Sequence, residues 1–224
     1  MEHSLNYNKP YFIAAIGTDI GKTFLVENLC QNLVKKNIPV RAIKPIASGF
    51  LDDDLNSDSA RILKSLNQEV SLENINQITP WRFKEALSPH IAAKMNNSKI
   101  DFLEVVNFCK KNILQAKSLN QAIFIESAGG LMTPINDDKT FLDLAFELEI
   151  SVLLLGANYL GSISQTLCGA EVLKNRKIFV EKIIINEDLF KPHSTNITEV
   201  INSVKNFSKI DTLTLNDFIN DQYY

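Results

Sequence analysis

From Ala14 to Thr23 the chain reads Ala-Ala-Ile-Gly-Thr-Asp-Ile-Gly-Lys-Thr, an apolar strand running into a glycine-punctuated turn that closes on Gly21-Lys22-Thr23. Phosphate oxygens require several converging N–H donors and positive charge. A tight turn at a helix N-terminus provides the donors, Lys22 a flexible ammonium, and Thr23 a hydroxyl for Mg²⁺. Composition alone produces a Gly-Lys-Ser/Thr triplet in roughly one chain in ten of this length. Context discriminates here, because the triplet follows the first apolar strand and precedes an amphipathic helix. Gly17, Thr18, Asp19, Ile20, Gly21, Lys22 and Thr23 are therefore the candidate nucleotide-phosphate cradle. Ile16 breaks the strict GxxxxGK spacing, standing where its first glycine would be.

Three further positions could serve the same chemistry. Lys44, in Lys44-Pro45-Ile46-Ala47-Ser48-Gly49, falls at the carboxyl end of a strand, where open α/β sheets bind ligands. It is either a second cation for the phosphates or a solvated lysine ahead of a turn. Asp58, in Asn56-Ser57-Asp58-Ser59, is either a metal ligand or part of a helix N-cap. Glu126 leaves the apolar run 121–125 into Ser127-Ala128-Gly129-Gly130. An unpaired buried carboxylate is costly, and a divalent cation with phosphate oxygens offsets that cost, so Glu126 reads as a Mg²⁺ position. Asn186 ends the run 183–185, where an amide could donate to and accept from an adenine edge or simply start a turn.

These residues must be held by regular elements, and the apolar pattern supplies them. Strand-sized runs at 11–16, 39–43, 121–125, 151–155 and 178–185 alternate with helical patterns. That alternation predicts an α/β fold with a doubly wound, mainly parallel sheet and helices on both faces. The helix after the first strand gathers Val26, Leu29, Cys30 and Leu33 on one face. A second starts at Asp101 with Glu104 in capping-box spacing, and a third follows Gly161, where Ser162 and Gln165 share that spacing and Ile163 and Leu167 supply an apolar stripe. With no internal repeat or Pro/Gly-rich linker, residues 1–224 read as one domain.

Composition excludes several classes. The chain is 45% hydrophobic and 22% charged, which is average for globular proteins and removes a disordered tail. Its apolar runs are far short of the ~20 residues of a membrane helix. Met1 to Pro10 lacks the cationic and apolar regions of a secretory signal, so a cytoplasmic protein is expected. A net charge of −3 without a basic stripe argues against nucleic acid. Cys30, Cys109 and Cys168 lie apart in helical patterns and read as buried free thiols.

The order of motifs resembles one family. Gly17-Thr-Asp-Ile-Gly-Lys-Thr23, Lys44-Pro-Ile-Ala-Ser-Gly49, Asn56-Ser-Asp58, Ser88-Pro-His-Ile-Ala-Ala93, Glu126-Ser-Ala-Gly-Gly-Leu131 and Leu160-Gly-Ser-Ile163 together are similar to the dethiobiotin synthetases, over about residues 11 to 186. The resemblance implies a P-loop, nucleotide-hydrolase-like fold and an ATP-dependent ring closure. An amine of 7,8-diaminononanoate takes up CO2, ATP phosphorylates the carbamate, and the second amine displaces phosphate. It further implies that Lys22 and Lys44 hold the phosphates and the carbamate, that Thr23, Asp58 and Glu126 bring Mg²⁺ to ATP, and that Thr18 and Ser48 line the substrate side. Such a reaction depends on positioning and charge stabilisation, not on a side-chain nucleophile.

In that family a homodimer is implied, with the substrate's distal carboxylate held across the interface at the helix N-terminus matching Gly161, Ser162 and Ile163. Unpaired N–H groups and a helix dipole suit an anion there, although a plain helix start also explains the sequence. Departures from the usual pattern occur at Ala15, Gly17, Asp19, Ser127, Ser164 and Gln165. His90 receives no role, and His3 and His193 lack a partner pattern. The alternative of a different class is a ParA/MinD-like ATPase switch. Those loops usually begin with a lysine where this chain has Gly17, and residues 212–224 hold Asp217 and Asp221 but no Lys or Arg for membrane targeting.

Overall fold

The computed structural model describes residues 5–51, 54–187 and 196–223; His3 and His193 lie outside them. The chain opens with β1 (Pro10–Ala15), α1 (Lys22–Lys35), β2 (Val40–Ile43) and β3 (Ile46–Ser48). Then come α2 (Asp58–Ser65), α3 (Leu72–Ile78), β4 (Trp81–Phe83), α4 (Pro89–Met95) and α5 (Phe102–Ser118). The second half holds β5 (Ala122–Glu126), α6 (Phe141–Leu148), β6 (Ser151–Ala157), α7 (Ser162–Asn175), β7 (Val180–Asn186), α8 (Ile197–Ser208), β8 (Thr212–Thr214) and α9 (Leu215–Tyr223).

Six strands form one sheet in the order β2-β5-β1-β6-β7-β8, and each pairing is parallel. β3 and β4 form a separate parallel pair. This is the α/β architecture expected from the sequence. Tyr11 to Ala15, Ile123 to Ile125 and Val152 to Leu155 are buried almost completely, as strands covered on both faces must be. The helices bury the residues their periods select. In α1 these include Val26, Leu29, Cys30 and Leu33.

Strand order explains the placement of chemistry. β1 lies centrally, with β5 and then β2 on one side and β6 on the other, so the chain reverses its winding direction beside β1. Crevices at such reversals, outside the carboxyl ends of the strands, are where open α/β sheets take ligands. The turn after β1, Lys44 after β2, and Glu126 at the end of β5 therefore open onto one edge. Residues beyond β7 return to the sheet as β8 and α9. There Gln222 fastens the ends together, its Oε1 accepting from Leu5 N (3.0 Å) and Tyr7 OH (2.8 Å), and its backbone O from Lys36 Nζ (2.6 Å) and Asn32 Nδ2.

Some local expectations are corrected. Cys30 and Cys109 are buried, but Cys168 is exposed. The reason is that α7 turns Ser162, Thr166, Ala170 and Leu173 inward, leaving the Ile163 and Leu167 side only partly buried. Nor does Ser162 cap α7. The N-cap is Gly161 in the left-handed region (φ 93°), and Gln165 instead accepts from Tyr159 OH at 2.5 Å. Asp101 does cap α5, accepting from the N–H groups of Leu103 and Glu104, whereas the full reciprocal box joins Thr140 and Asp143 on α6.

Close packing of α7 on β6 depends on Gly156, where an added Cβ would lie 2.5 Å from Thr166 Oγ1 and 2.9 Å from Ile185 Cδ1. Gly156→Ala is expected to lower unfolding free energy by ~1–3 kcal/mol, the usual range for overpacking, read as a lower urea midpoint at unchanged slope. An unchanged midpoint would mean that this contact yields freely.

Candidate functional site

The turn after β1 is shaped by backbone conformation. Asp19 (φ 56°) and Gly21 (φ 99°) both adopt the left-handed region, which aspartate tolerates and glycine adopts freely. A Cβ on Gly21 would also lie 2.8 Å from Asn186 Nδ2. Gly21 is the N-cap of α1 and offers no side-chain cap, so the first-turn N–H groups keep their capacity for an anion. Gly130 supports the turn from beneath. Its Cβ, if present, would stand 3.1 Å from Ile16 O, while Leu131 N donates to Ala15 O at 2.8 Å.

Glu126 is the centre of the polar arrangement. It is wholly buried, and its Oε1 accepts from Thr23 Oγ1 at 2.6 Å and from Lys44 Nζ at 2.8 Å. Lys44, itself 5% exposed, also pairs with Asp58, the first residue of α2 after the Ser57 cap. Burial alone would push the Lys44 ammonium down. The carboxylates of Glu126 and Asp58 outweigh it and hold its pKa above the ordinary lysine value. Burial likewise opposes ionisation of Asp58, and the Lys44 charge overrides this and keeps its pKa below the ordinary carboxylate value.

Lys22 is poised differently. Its Nζ donates to Gly17 O at 3.0 Å, across its own turn. Burial lowers its pKa to about 8, against an opposing pull from Glu126. A buried lysine folded onto a loop carbonyl gains from an arriving polyanion.

Whether these residues suit Mg²⁺ is tested by their donors. Thr23, Asp58 and Glu126 are hard oxygen ligands, and Glu126 Oε2 is buried without a hydrogen-bond partner. Among the described residues no group of three or more His, Cys, Asp or Glu could hold an ion by itself. Mg²⁺ is ordinarily bound through one or two carboxylates together with substrate phosphates and water, so the set fits.

The cleft that these groups share measures about 690 Å³, within the range of small-molecule sites. Thr18, Asp19, Gly21, Lys22, Thr23, Lys44, Ser48, Asp58 and Glu126 all line it. Ser48 closes β3, and its Oγ is buried without a partner. Ile20 instead turns into the core, 3% exposed. Asn186 ends β7, with Nδ2 donating to Ile20 O at 3.1 Å, so one half of its amide steadies the turn. Gly161 and Ile163 are not brought to the cleft. They line a second groove of about 710 Å³ with Leu167, Phe207 and Ile210, and the buried Ser162 Oγ beside them has no partner. His90 Nδ1 lies 3.0 Å from Ser88 Oγ, a local helix-start contact.

Ala86, Leu87, Thr133 and Pro134, which no motif marks in the sequence, complete the wall of the cleft together with Arg61. Arg61 could have been found from its spacing, since it follows Asp58 by one helical turn.

The chain is similar to known proteins in sequence and in fold. The model of a family described as an AAA domain matches residues 9–215. The ATP-dependent dethiobiotin synthetase of Acidiphilium cryptum is 35% identical over 79% of this chain and 78% of its own length. That of Legionella pneumophila (strain Paris) is 39% identical over 80% of each. Among solved structures, the MinC:MinD cell division complex of Aquifex aeolicus superposes with a TM-score of 0.52 at 13% identity, covering 96% of this chain and 86% of that one. A ParA family ATPase of Chlorobium tepidum gives 0.50 at 10% identity, covering 96% and 90%. At such low identity these two share the fold alone.

A Lys22 that meets phosphate would make nucleotide binding sensitive to pH. Its pKa of about 8 in the free protein leaves the ammonium largely lost by pH 9, to be restored when phosphate arrives. ATP affinity measured calorimetrically is expected to fall ~10-fold between pH 7.5 and 9, and Lys22→Ala to flatten that slope. A wild-type affinity independent of pH over this interval would exclude the arrangement.

Proposed function

The chain belongs to the ATP-dependent dethiobiotin synthetase family, and from that premise we propose how its own residues run the reaction. It closes the ureido ring of dethiobiotin from 7,8-diaminononanoate and CO2. One substrate amine adds to CO2 and gives up a proton, forming a carbamate. A carbamate oxygen attacks the γ-phosphorus of ATP, releasing ADP and leaving a carbamic-phosphoric anhydride. The second amine then attacks the carbonyl carbon and gives up a proton, and phosphate departs with the electrons of the broken C–O bond.

Each step asks the protein for charge and position. The first-turn N–H groups of α1, with Gly17, Thr18, Asp19, Ile20 and Gly21 shaping the loop, cradle the phosphate chain. Lys22 leaves Gly17 O to follow the γ-phosphoryl group, whose equatorial oxygens carry charge in transfer. Lys44, kept ionised by Glu126 and Asp58, faces the carbamate and the phosphoryl group as they meet. Thr18 and Ser48 hold the diamine end. Thr23, Asp58 and Glu126 would hold Mg²⁺, which when bound supplies charge neutralisation of the β- and γ-phosphates. The Asn186 carbonyl faces the adenine edge.

The observation that carries this reading is the convergence of Thr23 and Lys44 on Glu126, with Asp58 held on the same Lys44, although 103 residues separate Thr23 from Glu126 in sequence. A switch ATPase would need no wall beyond the phosphates. Here the cleft continues past Lys44 to Ser48, Ser88 and Pro134, with room for a second substrate.

We also read the working form as a homodimer. The uncapped start of α7 at Gly161, Ser162 and Ile163 suits the distal carboxylate of the diamino acid, and it lines a different groove from the cleft of its own chain. A second copy would bring it across.

Phosphate release is expected only with diamine, CO2, Mg²⁺ and ATP together, and Lys44→Ala is expected to lower turnover at least ~100-fold, the cost of losing one charge-stabilising group. Diamine-independent hydrolysis, or normal turnover in that variant, would count against the proposal. Sedimentation should give twice the 25.2 kDa chain mass, and a monomer under assay conditions would remove the shared site.

A further inference from the structure

Helices α1 and α2 meet at the cleft, α1 carrying Lys22 and Thr23 in its first turn and α2 carrying Asp58 as its first residue. One turn further along each, a second pair faces across the same seam. Glu27 lies four residues after Thr23 and Arg61 three after Asp58, the spacings that keep side chains on one face of a helix. Arg61 Nε donates to Glu27 Oε1 at 2.9 Å and its NH2 group to Oε2 at 2.5 Å, a two-point fork. Glu27 is largely sheltered, its side chain 16% exposed, while Arg61 is 37% exposed and forms part of the cleft wall. Hydrogen bonding to Glu27 holds the Arg61 guanidinium above its usual pKa, and the Arg61 charge also reaches Asp58.

We infer that the Glu27–Arg61 pair is a positioning device that fixes the separation of α1 and α2 and so aligns Asp58 with Thr23 at the nucleotide end of the cleft. A fork constrains both distance and angle, which a single lysine contact would not. Burial of Ala60, Ile62 and Leu63 seats α2 on the core, and Lys44 draws Asp58 toward Glu126. The fork adds a directional tie to α1 one turn from Asp58. Arg61 in this role never touches substrate. Its effect passes through Asp58, and Glu27 does not line the cleft at all.

The inference rests on Asp58 serving the metal–nucleotide complex. Wild-type phosphate release in the presence of diamine tests that reading first, and its absence would reject the reading independently of the pair. Given activity, the Mg²⁺ concentration for half-maximal occupancy of the ATP-bound protein, read by calorimetry without diamine, is measured beside that for half-maximal rate for Arg61→Ala, Glu27→Ala and the double variant. Each single substitution is expected to raise it about 10-fold, the lower end for losing a group that orients a metal ligand, with the rate at saturating Mg²⁺ within about twofold. The double variant should be no worse than the poorer single, because the two residues act as one unit. Glu27→Gln, which keeps volume and one acceptor, should shift by about threefold and carries the test if Glu27→Ala fails to fold. Unchanged Mg²⁺ dependence in Glu27→Gln and Arg61→Ala, or a double variant equal to the product of the singles, would overturn the proposal. So would a loss of thermal stability with no change in Mg²⁺ requirement.

Discussion

A carboxylate buried at the carboxyl end of a central strand must be compensated, and Glu126 is the constraint around which the site is organised. It has no exposed surface, and one of its oxygens receives both Thr23 and Lys44. Removing a single partner from a buried charge pair leaves an uncompensated ion, which typically costs 3–5 kcal/mol. The arrangement therefore requires that β1, β5 and β2 be neighbours, since they deliver the phosphate turn, Glu126 and Lys44 respectively. The strand order β2-β5-β1 meets that requirement. Sheet topology and site chemistry express one constraint.

Around this rigid centre, several groups are left unsatisfied. The start of α1 has no side-chain cap, Lys22 is folded onto a loop carbonyl, and Glu126 Oε2 and Ser48 Oγ are buried without partners. A phosphate chain would answer the free N–H groups and Lys22, a bound cation the Glu126 oxygen, and a polar substrate group the Ser48 hydroxyl. Functional sites commonly break local rules in this way while the surrounding structure follows them. The supporting contacts are tight by contrast, as the approach of Gly130 to Ile16 and of Gly21 to Asn186 makes clear.

Much of this was legible in the sequence because burial leaves strong signals. Fully apolar strands announce β1, β5 and β6, and a charged residue ending such a strand, as Glu126 does, stands out against them. The α1 stripe was equally plain. What failed was local and had physical causes. Gly161 caps α7 through its backbone conformation, so the Ser162 and Gln165 spacing was misleading. The inner face of α7 is made of small and hydroxylated residues, Thr166 and Ala170 among them, which invert the expected apolar stripe and leave Cys168 outside. Strands of three residues such as β3 and β4 carry too few positions for a period to show. The bond between Lys44 and Asp58, and the fork between Glu27 and Arg61, join separate helices and strands, and only tertiary packing reveals them.

The claim underlying all of this is that the turn ending in Lys22 and Thr23 grips a triphosphate beside Lys44 and Glu126. A crystal structure with a non-hydrolysable ATP analogue, Mg²⁺ and the diamine tests it most directly. The account requires the phosphate chain to lie on the first-turn N–H groups of α1, with Lys22 Nζ moved from Gly17 O onto a phosphate oxygen and Lys44 between phosphate and diamine. An analogue seated elsewhere, or Lys22 still bonded to Gly17 O with the nucleotide present, would contradict it.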